Sequence, residues 1–325
     1  MGGVKSSASS PSRHLDDPPV LLGTVLGIIS SLSYTAANVY LRKLAGHEDV
    51  VWISCIKAVP VAVVAWLLVG RLVRQGRPVW PNRRQLLWLM VSGVLVQLGG
   101  NVAFQWSLGQ IGLAMTVPLM FGSLILSGAL MGRFVLHEPI TSRSAIAMLI
   151  LIIAISILSL GTPQANRSVA EELRSAPGSA ALLAAAVAVA CLAGVSYAMV
   201  GIVIRRVLLA RLPVASTLMV ISTTGIVVLG AVSLGRVGLA GLLATGEPQF
   251  RDMLVAGVFN MLAFFALGKS LEVIPVVRVN ALNASQAAMA GVAGVLIFGE
   301  TLSPALIFGA ALTVVGLIAV QGGSH

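Results

Sequence analysis

Ten apolar runs, each of roughly 20 residues, dominate this 325-residue chain and leave it one solvent in which to fold. A run of that length is what an α-helix needs to cross a hydrocarbon layer about 30 Å thick. Within that layer each backbone N–H and C=O must find its partner inside the segment, so each run is expected to be helical. The runs lie at residues 20–41, 51–70, 86–107, 113–135, 144–161, 179–204, 214–235, 253–271, 276–298 and 304–321. The tightest split is at Gly109–Gly112, and merging the runs beside it gives an alternative count of nine. Composition points the same way: 57% of residues are hydrophobic and 10% charged, with mean hydropathy +0.97, against about 25% charged in soluble domains.

The net charge of +10 is carried by Lys and Arg between the runs, without the basic face and interleaved aromatics of a nucleic-acid platform, so no nucleic-acid partner is expected. These residues instead orient the chain, because cytoplasmic loops carry the excess of Lys and Arg. Thirteen lie on the side of the N-terminus, among them Arg71, Arg74, Arg77, Arg83 and Arg84, and six on the other side. Both termini are therefore expected to be cytoplasmic, in an integral protein of a bacterial inner membrane. Residues 1–19 are rich in Ser and Pro and read as a disordered cytoplasmic tail, with no signal-peptide organisation. Cys55 and Cys191 both sit in apolar runs, far from any His or Cys at ligand spacing, so neither a disulfide, a metal nor any other cofactor is expected.

Landmarks recur in the same order in the two halves, the mark of a duplication. Ser33-Tyr34 precedes Arg42-Lys43 as Ser196-Tyr197 precedes Arg205-Arg206; Asn101 precedes Leu108-Gly109 as Asn260 precedes Leu267-Gly268; Glu138-Pro-Ile-Thr141 answers Glu300-Thr-Leu-Ser303. The chain thus divides into the tail, a first five-helix repeat at 20–161, a linker at 162–178 and a second repeat at 179–323. Five is odd, so the second copy enters the membrane in the opposite sense. The expected fold class is an all-α membrane protein with ten transmembrane helices as two inverted five-helix repeats. Inverted repeats place a site near the bilayer midplane and permit alternating access.

Ten spans, a duplicated unit and the ending Phe298-Gly299-Glu300-Thr301-Leu302-Ser303 resemble the EamA-like branch of the drug/metabolite transporter superfamily. The first-half copy departs from that motif, with Leu136-His137 before Glu138 where a Gly would stand. The resemblance covers about Leu22 to Gly322 and implies movement of small organic molecules, with helices 1, 3, 4, 6, 8 and 9 around a central cavity.

Polar groups in hydrocarbon face the bundle interior or a watery cavity. Helix 3 carries Gln97, Asn101 and Gln105 at i, i+4, i+8; helix 9 carries Asn280, Asn283 and Gln286; helix 1 carries Tyr34 and Asn38. Interhelical hydrogen bonding is one reading of these stripes; a shared substrate cavity is the other, with Asn260 and Tyr197 joining as repeat mates. Lys57 is the deepest full charge, just before Pro60. It either snorkels or pairs with a carbonyl freed by the proline, or lends positive potential to the cavity and favours a substrate carboxylate or phosphate. Arg278 reads as a topology anchor or a second charge near the cavity. Glu138 and Glu300 either support the helix that follows each, beside N-caps Thr141 and Ser303, or act as coupling or gating carboxylates. Gly128, Gly132, Gly291 and Gly294 read as close-packing positions.

The function expected is a secondary transporter that works by alternating access as an exporter of amino-acid-like or other small polar or amphipathic metabolites. Its partners would be a small-molecule substrate and the lipid bilayer, and a homodimer is compatible with the fold. A non-transporting receptor or assembly subunit is the rival that leaves the inverted duplication without a reason. A membrane-embedded enzyme has still less to build on, since the sequence has no HExxH, no intramembrane carboxylate pair and no P-loop.

Overall fold

In the computed structural model, which describes residues 18–138, 140–160, 179–298 and 304–321, every regular element is helical. Most of the expected N-terminal tail and the linker at 162–178 lie outside the described residues, as do Glu300 and Ser303. The segments are α1 (Pro18–Leu44), α2 (Val50–Arg74), α3 (Arg83–Leu113), α4 (Thr116–Val135), α5 (Ser142–Leu160), α6 (Ser179–Leu209), α7 (Val214–Leu243), α8 (Glu247–Val273), α9 (Val276–Phe298) and α10 (Pro304–Gln321). Seven of them, α1 to α4 and α6 to α8, are long and apolar enough to cross a membrane. Shorter apolar helical stretches lie within α5, at Ala145–Ile157, and within α10, at Ile307–Gly316.

The distribution of side chains is that of a protein solvated by lipid. Large apolar groups point outward: Leu67, Phe134, Leu296 and Phe308 are 69%, 68%, 79% and 69% exposed. Polar groups point inward, with Ser30, Lys57, Gln97, Asn283 and Gln286 all buried. Water would penalise the first set, and hydrocarbon would penalise the second if it were turned out. The chain is an integral membrane protein.

The split that the sequence marks most weakly is real in the backbone. Gly112 has φ +71°, a left-handed conformation that glycine adopts without steric cost, and it breaks the helix between α3 and α4. Gly238 does the same near the end of α7, at φ +73°. Within α3, residues Val96–Val102 form a π-helical turn, a rare local widening that is frequent at functional sites.

Helix ends are fixed by side chains. Asp49 caps α2 by accepting from the Val51 and Trp52 N–H groups at 2.9 and 3.1 Å, and also pairs with Arg236 of α7 at 3.1 Å. Asn82 and Gln85 make a reciprocal capping box at the start of α3. In the packed interior α1 lies against α8, α4 against α6, α2 against α7 and α5 against α10. Small residues let the backbones approach: a Cβ at Gly194 of α6 would collide with the Met120 carbonyl oxygen of α4 and lie 2.9 Å from the Leu124 nitrogen.

Candidate functional site

Where α1, α3, α6, α8 and α9 converge with α2, α4 and one residue of α7, they enclose a cavity of about 120 Å³. Among the described residues, α5 and α10 contribute nothing to its wall. The polar part of the wall comes from Tyr34 and Asn38 of α1, Gln97 and Asn101 of α3, Tyr197 of α6, Asn260 of α8, and Asn280, Asn283 and Gln286 of α9. An apolar part is supplied by Phe104, Met120, Phe121, Leu124 and Phe264.

Two hydrogen-bonded groups organise the polar wall. The first centres on Asn101, whose Oδ1 accepts from Lys57 Nζ at 2.8 Å and from Tyr197 Oη at 2.9 Å, while its Nδ2 donates to Gln97 Oε1 at 2.7 Å. Both Gln97 and Asn101 ride on the π-helical turn of α3. Gly99 and Gly100 in the same turn let α6 come close: a Cβ at Gly99 would lie 2.6 Å from Ser196 Oγ, and one at Gly100 would lie 3.2 Å from the Tyr197 ring. The second group ties α1 to α9. Ser30 Oγ and Gln286 Nε2 both donate to Asn283 Oδ1, at 3.2 and 3.0 Å, and Asn38 Nδ2 donates to Gln286 Oε1 at 3.4 Å. Asn280 stands apart, its Nδ2 buried with no hydrogen-bond partner among the described residues.

Lys57 is 4% exposed and faces the cavity. It neither snorkels nor reaches a carbonyl freed by Pro60; its ammonium goes to the Asn101 amide oxygen on the neighbouring helix. Gly257 of α8 explains part of this placement, since a Cβ there would lie 2.9 Å from Pro60 Cγ and 3.0 Å from the Lys57 carbonyl oxygen. Among the described residues, Lys57 is the one charged residue on the wall, which carries no Asp, Glu, Arg or His.

Three residues singled out from the sequence are placed elsewhere. Gln105 is turned off the cavity, and its Nε2 donates to the Leu41 carbonyl at 3.1 Å. The cavity stripe of α3 runs through Gln97, Asn101 and Phe104, and one further residue turns the side chain about 100° round the helix. Arg278 is partly buried near the start of α9 and does not line the cavity. Glu138 serves a helix other than the one that follows it: Oε1 pairs with Arg205 Nε of α6 at 3.1 Å, and Oε2 accepts from the Val276 N–H at the start of α9, also at 3.1 Å. Arg205 Nη1 in turn donates to the Leu271 carbonyl of α8. The carboxylate thus sits at a helix N-terminus, where the dipole favours it, but that helix lies 138 residues along the chain.

Three participants were not singled out from the sequence, the first being Ser30 of the group that ties α1 to α9. Ser222 of α7 lines the cavity, and among the hydroxyls of Ser216, Thr217, Ser222, Thr223 and Thr224 nothing in the sequence marks that one. Arg205, in the sequence only a repeat landmark after Tyr197, is the partner of Glu138. Among the described residues no group of three His, Cys, Asp or Glu is placed to hold a metal ion.

Residues 184–321 match the EamA-like transporter family. No curated protein matches the chain. A solved structure described as the crystal structure of a protein superposes with TM-score 0.64 at 15% identity, covering 92% of this chain and 97% of its own. At that identity the likeness shows a shared fold alone. Residues 184–321, which contain the Phe298–Ser303 motif, are thus similar to the EamA-like transporter family, the drug/metabolite transporter type that the sequence resembles.

Proposed function

We propose that the chain is a secondary transporter that exports small polar or amphipathic metabolites, amino-acid-like compounds among them, by alternating access. The observation that carries this reading is the central cavity, lined by helices from both halves and holding amide and phenol groups that hydrocarbon would otherwise penalise. A non-transporting receptor would have a use for such a cavity but none for a duplicated frame around it.

The inverted five-helix repeat, with units at 20–161 and 179–323, is supported by how the helices pair. The contacts α2 with α7 and α5 with α10 each join equivalent members of the two halves. The contact of α4 with α6 has its mirror in α9 with α1. The matched residues Tyr34 and Tyr197 line the same cavity, as do Asn101 and Asn260. Ten spans with both termini cytoplasmic fit the placement of loops: Arg71, Arg77, Arg211 and Lys269 surround one recess, whereas Asp49 and Arg236 meet at another end. The bacterial inner membrane and the export direction belong to the same reading.

Under alternating access, the Glu138–Arg205 pair is a latch at the cytoplasmic end. It joins the end of α4 in the first half to α6, α8 and α9 of the second. No catalytic step is assigned to any of these residues. The test is a screen of metabolites for thermal stabilisation of the purified protein, followed by counterflow in liposomes with the compounds that stabilise it. Saturable exchange into preloaded vesicles is expected; a set of stabilising ligands none of which exchanges would favour the receptor.

A further inference from the structure

Building on the transporter reading, we propose that the cavity takes a small carboxylate of net negative charge, with Lys57 as the group that receives it. The inference starts from the charge balance of the wall. Among the described residues Lys57 is the single charged side chain there and no carboxylate pairs with it, and it is 4% exposed. Its one hydrogen-bond acceptor, Asn101 Oδ1, is shared with Tyr197 Oη, so a neutral oxygen meets two donors. An ammonium held inside a membrane bundle without a counter-charge is costly, and its usual remedy is a paired anion.

The remaining groups favour a carboxylate that carries no cationic centre of its own. A zwitterion would bring an ammonium into a wall that offers it no Asp or Glu. A carboxylate supplies two acceptor oxygens, and hydrogen bonds from ionised or amide donors to such oxygens are the stronger kind. Lys57 has donors to spare beyond the one engaged with Asn101, whereas Asn280 Nδ2 packs against Gly128 of α4. The body of the molecule would lie against Phe104, Phe121 and Phe264. A cavity of about 120 Å³ confines it to a short skeleton. Asn101 then has a positioning role: it holds the Lys57 amine in the cavity until the anion arrives.

Three probe compounds with one carbon skeleton separate the alternatives: 4-methylpentanoate is an anion, its primary amide is neutral and leucine is a zwitterion. Phenylacetate and its amide form a second matched set. Thermal stabilisation is measured on the purified wild type and on Lys57→Met and Asn101→Asp, with counterflow in liposomes as the second readout. In the wild type the carboxylates should half-saturate at concentrations at least about tenfold below their amides and below leucine. In Lys57→Met that preference should fall to within about twofold. Asn101→Asp keeps the side-chain shape and gives Lys57 an internal counter-charge, so it should fold with unchanged or higher melting temperature yet lose the preference. Amides or leucine stabilising the wild type as well as the carboxylates, no stabilisation by either carboxylate, or a tenfold preference surviving in both variants would each overturn the assignment. Lys57-dependent stabilisation by carboxylates that never exchange in counterflow would keep the site and sink the transporter; exchange of neutral compounds alone would do the reverse.

Discussion

Cutting the Glu138–Arg205 pair should cost stability from either side and much less than twice that when both partners go. The side chains are 13% and 11% exposed, so the pair is largely desolvated, and breaking such a pair by removing one partner costs about 3 to 5 kcal/mol. Each partner keeps one contact after the other is replaced: Glu138 still caps α9 through the Val276 N–H, and Arg205 still donates to the Leu271 carbonyl. The cost of Glu138→Gln or Arg205→Gln is therefore set at about 2 to 3 kcal/mol, just below the range for a buried pair left with no other contact. In a chain of this size that is a fall in melting temperature on the order of 5 °C. The double variant leaves no unpaired charge and should fall by about as much as one single variant, a coupling of about 2 kcal/mol. Thermal unfolding of the four proteins in one detergent closes the cycle. A functional readout accompanies it: Val200→Cys, placed on the cavity wall in a background lacking Cys55 and Cys191, should react faster with a maleimide added to the cytoplasmic side once Glu138→Gln is introduced. Additive losses in the double variant, together with an unchanged labelling rate, would refute the latch.

Two glycine substitutions probe the frame around the cavity. Gly194→Ala should destabilise by about 3 kcal/mol or more, because the new methyl group meets the α4 backbone, which cannot move aside as a side chain would. Gly201→Ala, where a Cβ meets nothing within 4 Å, should melt within a degree or two of the wild type; equal melting temperatures for the pair would contradict the close packing of α4 and α6. Gly225→Ala places a methyl group against the Gln97 side chain, at 2.7 Å from Cδ and 2.8 Å from Cγ, and so should push Gln97 off Asn101. Its signature is a loss of ligand stabilisation of about tenfold with little change in melting temperature, and unaltered ligand affinity would show that the Gln97–Asn101 contact does not matter to the cavity.

What could be read from the sequence was what depends on local pattern. Runs of about 20 apolar residues dictate helices because hydrocarbon offers the backbone no other partner. The break at Gly112 was visible because a positive φ asks for glycine, and the stripes of Asn and Gln were visible because residues three or four apart share a helix face. What escaped depended on distant neighbours. Lys57 and Asn101 are 44 residues apart and Glu138 and Arg205 are 67 apart, so neither partnership leaves a trace in spacing. Gln105 was misplaced for a geometric reason: the count from Gln97 was carried one residue past the cavity-facing Phe104. The π-helical turn that carries Gln97 and Asn101 likewise has no marker in the residues themselves beyond the adjacent Gly99 and Gly100.

Transport through the polar cavity is tested most directly by counterflow with matched amounts of reconstituted wild type, Asn101→Ala and Asn283→Ala, using a compound that stabilises the wild type. Asn101 organises the group around Lys57 and Tyr197, and Asn283 organises the group joining α1 to α9. Both variants should insert and reconstitute as the wild type does and show no exchange above empty vesicles. Wild-type rates of exchange in both would contradict a transport path through this cavity.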